Sequence, residues 1–305
     1  MELSREIDVV TNISQKEFNE KYYSKHKPVV IKGLLNNTFA GEHWSIEYFK
    51  KTMGDTLVDV YDNGNKNTSA TAFTCADLKM PFRDYLNSIT KDEKSNLRIF
   101  LYNIFKSNPR LSKEFPCPPI VKNFLCKMGF IFFGGKNTTV RIHYDVDMSN
   151  VLHTHFGGKK RVVLFAPEYS RLLYCLPLNT YSLIDIDHID YEKYPGLKYV
   201  NGLEIILEHG DTLYMPAGYW HYMTYLESSF SVSYRKPSLN LKYPLQGLIN
   251  LGILMPIDKL LNKLFGKKWL DMKIAIADKR AKEIIYEKEV PGYSNVFDVI
   301  SKNFH

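Results

Sequence analysis

Three side chains in two short motifs could hold a redox-active metal. His143 and Asp145 flank Tyr144 at the end of the strand-like run 138–142. His221 closes the stretch Gly210-Asp211-Thr212-Leu213-Tyr214-Met215-Pro216-Ala217-Gly218-Tyr219-Trp220-His221. Two imidazoles and one carboxylate make the facial triad that leaves three coordination positions of a non-haem Fe(II) open. An ion held in this way can take up dioxygen, so the chemistry implied is oxygen activation.

Such a triad makes demands on the elements that carry it. In a strand, alternate side chains share a face, so His143 and Asp145 point one way and Tyr144 the other. The third ligand must come from a distant strand. Gly210-Asp211 reads as a turn, Thr212–Met215 as a strand and Pro216-Ala217-Gly218 as a second turn, so Trp220-His221 begins the next strand. A histidine anchored by a rigid turn has the defined position that a metal ligand needs. The HxD triplet alone is a weak signal. The two motifs in order, inside a β-rich segment, are specific.

That segment runs from 97 to 234. Strands are expected at 97–102, 130–133, 138–144, 150–156, 161–165, 204–207, 212–215 and 230–235, with Gly, Pro, Asn or Asp turns between them. Many short strands at such spacing predict a sandwich or barrel, with jelly rolls and cupins among the solutions. Ahead of it, Ser14 and Glu17 have capping-box spacing, and 27–33 reads as a short strand. Ser45 caps a helix, 56–61 alternates up to the turn Asp62-Asn63-Gly64, and a helix at 81–89 takes Pro81 in its first turn. After Pro237 the Leu- and Ile-rich stretch 245–265, broken by Pro256, and the amphipathic stretch 269–288 predict a helical appendage. The expected organisation is a catalytic domain over 1–237 and helices over 238–305. The fold class is mainly β with flanking helices.

The stretch 139–167, together with 210–221, resembles the JmjC-type cupin-like oxygenases. The matching residues are His143, Asp145, Asn150, Gly158, Lys160, Phe165, Pro167, Gly210, Asp211, Pro216, Gly218 and His221. Pro28–Gly33, Trp44 and 187–195 also look like that family, so the resemblance covers about 25–236. It looks closest to the small-hydroxylase branch that includes the asparaginyl hydroxylase of hypoxia-inducible factor and the tRNA wybutosine hydroxylase. Histone demethylases look more remote. The resemblance implies a double-stranded β-helix, an Fe(II) held by His143, Asp145 and His221, and 2-oxoglutarate as cosubstrate with dioxygen.

It also implies a cation for the far carboxylate of 2-oxoglutarate. Lys160 matches the family lysine. Arg235 is a rival, because a guanidinium on the last strand binds carboxylates bidentately; alternatively it pairs with an acidic neighbour. Asn150 resembles a cosubstrate contact, although the loop after Asp145 is longer here than in the two named relatives. His153 and His155 either line the site or are satisfied core histidines. Thr139 and Tyr102 are weaker candidates for hydroxyl contacts to the carboxylate.

Bulk properties narrow the class further. The net charge of +7 permits an acidic partner without demanding one. There is no Walker loop, GxSxG elbow or Rossmann fingerprint. The start of the chain has no apolar signal region, and no apolar run is long enough to span a bilayer. Cys75, Cys117, Cys126 and Cys175 form no CxxC pair, so reduced thiols and a cytoplasmic location are expected. The substrate could be a protein side chain, an RNA base or a metabolite. Related hydroxylases pair through C-terminal helices, which implies a homodimer. The alternative is a non-catalytic metal-binding cupin-like module; the intact triad and Lys160 argue against it.

Overall fold

A computed structural model describes residues 1–62, 76–91, 96–118, 120 and 129–289. Among the described residues there are fourteen strands: β1 (Glu2–Ser4), β2 (Val9–Thr11), β3 (Val29–Lys32), β4 (Leu57–Asp62), β5 (Leu78–Pro81), β6 (Leu97–Asn103), β7 (Phe130–Gly134), β8 (Thr139–His143), β9 (Asn150–Gly157), β10 (Lys160–Phe165), β11 (Asn201–Leu207), β12 (Thr212–Met215), β13 (Trp220–Tyr225) and β14 (Ser229–Lys236). They form a five-stranded sheet in the order β1-β11-β10-β13-β8. A nine-stranded sheet has the order β2-β3-β12-β9-β14-β7-β6-β4-β5. The architecture is a cupin-like jelly roll.

Period-two alternation explains how one strand serves two layers. Val162 and Leu164 of β10 join Val151, Leu213, Met215, Ile205 and Met223 in the layer between the sheets. Their neighbours Val163 and Phe165 point outward with Trp220 and Tyr222, against the segment carrying Leu172, Leu173, Tyr174 and Tyr181. On the far side of the larger sheet, Leu152, Phe156, Phe230 and Val232 pack on Trp44, Phe49, Phe82 and Tyr85 of the N-terminal helices. Full burial of one such side chain is worth roughly 1.5–3 kcal/mol.

The strands predicted after residue 25 all form, and β13 begins at Trp220 as expected. β1, β2 and β5 were not expected. β1 and β2 span three residues each, too few for an alternation signal, and are held in parallel pairing to β11 and β3 respectively, while β5 pairs antiparallel with β4. Of the turn at 62–64, only Asp62 lies within the described residues. Ser14 and Ser45 accept the capping N–H bonds of Glu17 and Tyr48. Pro81 precedes the helix Phe82–Ile89 as its cap. Pro256 does not break the stretch as expected: it lies in a helical run that continues from Lys242 to Phe265, directly after the π-helical turn Asn250–Leu254 that accommodates the ring and its missing N–H. Cys175 is a free thiol, whereas Cys117 is disulfide-bonded, contrary to the expectation of reduced thiols.

The helices after β14 reach back to the motif loop. Gly247 lies so close to Asp147 that a Cβ there would stand 2.4 Å from the Asp147 carbonyl oxygen. Asn250 donates to the Val146 carbonyl at 3.0 Å. Further along, Asp258 accepts from Asn179, Trp269 and Lys273, each at 2.8 Å. Ala277 and Ala281 of the helix Lys267–Glu289 complete the outer core layer over the smaller sheet. No helix among the described residues is long and apolar enough to cross a membrane.

Candidate metal centre and its cavity

β13 runs antiparallel to β8 and sets His221 directly opposite His143, with a register shift between His221 and Met223. The two ring centroids are 4.2 Å apart. Gly218 (φ +78°) makes the turn before β13 in a left-handed conformation that suits glycine. One potential ligand atom each from His143, Asp145 and His221 lies within 4.8 Å of the other two. All three residues line a cavity of about 910 Å³.

The environment presents these groups in the state that a metal requires. His143 Nδ1 is 2.7 Å from the carbonyl oxygen of Arg141, and His221 Nδ1 is 3.2 Å from that of Tyr219. A carbonyl only accepts, so each proton is on Nδ1 and each Nε2 is the unprotonated nitrogen. Burial pushes His143 down to about 3, with His221 adding to the effect. His221 is also lowered, again chiefly by burial. Both rings are therefore neutral at neutral pH. Burial alone would raise Asp145, but Arg235 and the two histidines outweigh it and hold the carboxyl at about 2.

Arg235 is a positioning residue for that carboxylate. Its Nη2 donates to Asp145 Oδ1 at 2.8 Å and its Nη1 to Asp147 Oδ1 at 2.6 Å. Its fork is thus occupied by two acids of the loop that the C-terminal helices hold down.

Lys160 is in the opposite situation. Its side chain is fully buried at the start of β10, and its Nζ donates to Ser231 Oγ at 2.6 Å. Nζ also lies 3.3 Å from His153 Nε2 and 4.1 Å from the centroid of the Tyr225 ring. No carboxylate pairs with it among the described residues. Burial lowers its pKa. The surrounding bonds have one self-consistent direction. His155 Nε2 lies 3.0 Å from the Gly158 carbonyl and so carries the proton, leaving its Nδ1 to accept from Ser231 Oγ at 3.0 Å. His153 accepts from Lys160 and donates through Nδ1 to Ser233 Oγ at 2.7 Å. His153 lines the cavity, whereas His155 is sealed behind Ser231.

The other expected contacts are distributed differently. Thr139 lines the cavity. Asn150 does not: its Oδ1 accepts from Tyr214 Oη at 3.0 Å and the Ala217 N–H at 3.2 Å, which ties β9 to the turn before β13. Tyr102 also lies outside the cavity lining and packs against the N-terminal core. A bulge in β6, where Leu101 has φ +54°, breaks the alternation that would put Tyr102 on the same face as Arg98. Arg98, Arg141, Ser231 and Ser233 were missed by the sequence reading. The signal for the two serines was present: Ser229, Ser231 and Ser233 form a period-two polar strip in β14.

A family model described as a Cupin-like domain matches residues 14–235. The chain belongs to that family. JmjC domain-containing protein D of Dictyostelium discoideum is 28% identical to this cupin-like chain over 245 residues, covering 72% of the chain and 53% of that protein. Lysine-specific demethylase 8 of Xenopus tropicalis is 25% identical over 234 residues, covering 72% and 50%. The human tRNA wybutosine-synthesizing protein 5 is 26% identical over 226 residues, covering 68% and 70%. The cupin-like chain thus spans about half the length of the first two of these relatives. A relative named as a demethylase is as similar as the wybutosine protein, although the sequence reading set histone demethylases further away. At family level these JmjC cupin-like proteins are Fe(II)- and 2-oxoglutarate-type oxygenases.

Proposed function

We propose that this chain is an Fe(II)- and 2-oxoglutarate-dependent hydroxylase acting on a protein side chain, an RNA base or a small molecule. One observation carries the reading. A His-Asp-His set whose ligand atoms lie within 4.8 Å of one another shares its cavity with a fully buried lysine, Lys160, that pairs with no carboxylate among the described residues.

The donor set fits the metal, since two imidazole nitrogens and one carboxylate suit Fe(II) and leave coordination positions for other ligands. Lys160 fits the cosubstrate, since a buried cation without a counter-charge favours an incoming carboxylate. When bound, the pair would supply, with dioxygen as the oxidant, oxidative decarboxylation of 2-oxoglutarate to succinate and CO2, one oxygen atom going to succinate and the other to the hydroxylated substrate. The chain's own residues do the rest. His143, Asp145 and His221 would hold the ion, and Arg235 keeps the Asp145 carboxylate aimed. Lys160, held by Ser231, would receive the distal carboxylate; Arg235 is already engaged by Asp145 and Asp147. Phe130, Phe132, Met215 and Tyr225 line the cavity with apolar surface that excludes water.

The test is anaerobic mixing with Fe(II) and 2-oxoglutarate. A charge-transfer absorption is expected, followed by succinate when oxygen is admitted. Lys160→Met should raise the half-saturating 2-oxoglutarate concentration about 10- to 100-fold, the worth of one charge-assisted contact, without lowering thermal stability. A wild-type chain that gives neither band nor succinate favours the non-catalytic binding module instead.

The reading extends to a homodimer formed through the helices after β14. Leu245, Leu248, Leu260 and Leu264 are 60%, 69%, 56% and 62% exposed, an apolar surface of a kind that marks an interaction face. Sedimentation should give twice the chain mass, and Leu248→Glu with Leu264→Glu should give a monomer; a wild-type monomer at micromolar concentration would refute the dimer. A cytoplasmic location also belongs to the reading; disulfide-bonded Cys117 weighs against it.

A further inference from the structure

We infer that the cavity contains a second oxyanion subsite, formed by Arg98 and Arg141, that takes a carboxylate or phosphate group of the primary substrate. The inference rests on the oxygenase reading only for what the anion is attached to.

Arg98 comes from β6 and is 8% exposed, while Arg141 comes from β8, two residues before His143. Both line the cavity that the metal triad lines. Each guanidinium lies over a ring rather than an acid: Arg98 is 4.8 Å from the Phe100 centroid and Arg141 is 5.2 Å from that of Tyr181. Among the described residues neither makes a salt bridge. Arg98 Nε and Arg141 Nη1 are buried without a hydrogen-bond partner, and so is the Tyr181 hydroxyl, which lines the same cavity. Arg161 shows the contrast, since it holds Asp187 and Glu204 at 2.6 Å each.

Buried donors left unpaired are costly, and guanidinium groups gathered in one cavity repel each other. An oxyanion offsets both penalties at once, and the planar fork of arginine matches carboxylate and phosphate oxygens. The distal carboxylate of 2-oxoglutarate does not need this pair, because Lys160 is free to take it. The group that satisfies Arg98 and Arg141 therefore belongs to another molecule entering the same cavity.

The experiment uses the metal-free chain, titrated calorimetrically with inorganic phosphate and, in parallel, with acetate. Saturable binding of one of them is expected in the wild type and in Lys160→Met. At least about ten-fold weaker binding is expected in Arg98→Gln and Arg141→Gln, with partial recovery in Arg98→Lys. The tighter anion assigns the substrate group as phosphate or carboxylate. Binding that is unchanged in both glutamine variants, or lost in Lys160→Met, overturns the subsite. The anaerobic charge-transfer band is measured on the same variants. If the wild-type band disappears in Arg98→Gln or Arg141→Gln, the arginines serve the cosubstrate and the inference falls. If the wild type gives no band but anion binding still follows the arginines, the subsite stands and the oxygenase reading fails.

Discussion

Replacing His143 or Asp145 by alanine is expected to weaken Fe(II) binding by more than about 100-fold and to remove succinate formation. Loss of an outer partner alone typically costs 10- to 100-fold in metal affinity, and loss of a ligand exceeds that. The two variants should differ in stability. His143→Ala removes a neutral ring whose Nδ1 bond goes to a nearby carbonyl. Asp145→Ala removes one of the two counter-charges of a guanidinium that is 12% exposed, leaving Asp147 as its remaining acid. Asp145→Ala should therefore melt below His143→Ala. Arg235→Met should fall between the wild type and both ligand variants in metal affinity, because it disturbs the aim of the carboxylate without deleting it. Isothermal titration with Fe(II) under anaerobic conditions measures all three, and equal affinities in wild type and His143→Ala would exclude this centre.

Asp258→Ala is expected to destabilise the chain by about 3–5 kcal/mol, the usual result of breaking a buried ion pair from one side. Lys273 is fully buried and Asp258 is 4% exposed, so the ammonium would be left inside without a counter-charge. For a chain of this size the midpoint should drop on the order of 10 °C. The damage should spread to the cavity. Asn179, which donates to Asp258, lines the cavity together with Thr180 and Tyr181. Asp258→Leu combined with Lys273→Met should be far milder than Asp258→Ala, since it removes both charges and keeps the volume. Thermal unfolding of the three variants checks this, and a double variant that is worse than the single would refute the ion-pair account.

The parts of this molecule that were legible in the sequence are those governed by local rules. Strand alternation placed His143 and Asp145 together, and the turn-strand-turn frame placed His221 at the start of β13. Lys160 was found through resemblance, and its isolation from any carboxylate appeared only in the fold. What stayed hidden depends on register breaks and long-range contact. The bulge at Leu101 changes which β6 residues face the cavity, so Tyr102 lies outside its lining and Arg98 within it. Asn150 matched a motif, but its amide is engaged by Tyr214 and Ala217, 64 and 67 residues away. No window on the sequence around Asp145 announces that Gly247 and Asn250 press on the loop beside it.

β8 is the last strand of its sheet, and its outer edge carries an isolated bridge from His143 to Tyr181. An edge strand with one paired neighbour is the natural place for a sheet to fray or to recruit another chain. His143 is on that strand, Asp145 follows it directly, and His221 is on its inner neighbour. An ion held by these three residues would tie this edge strand, which among the described residues only the segment 180–182 covers on its outer side, to its inner neighbour as well as serving chemistry. Iron supply would then govern the lifetime of the folded chain along with its turnover, and iron-starved molecules would be the ones most open to proteolysis and aggregation.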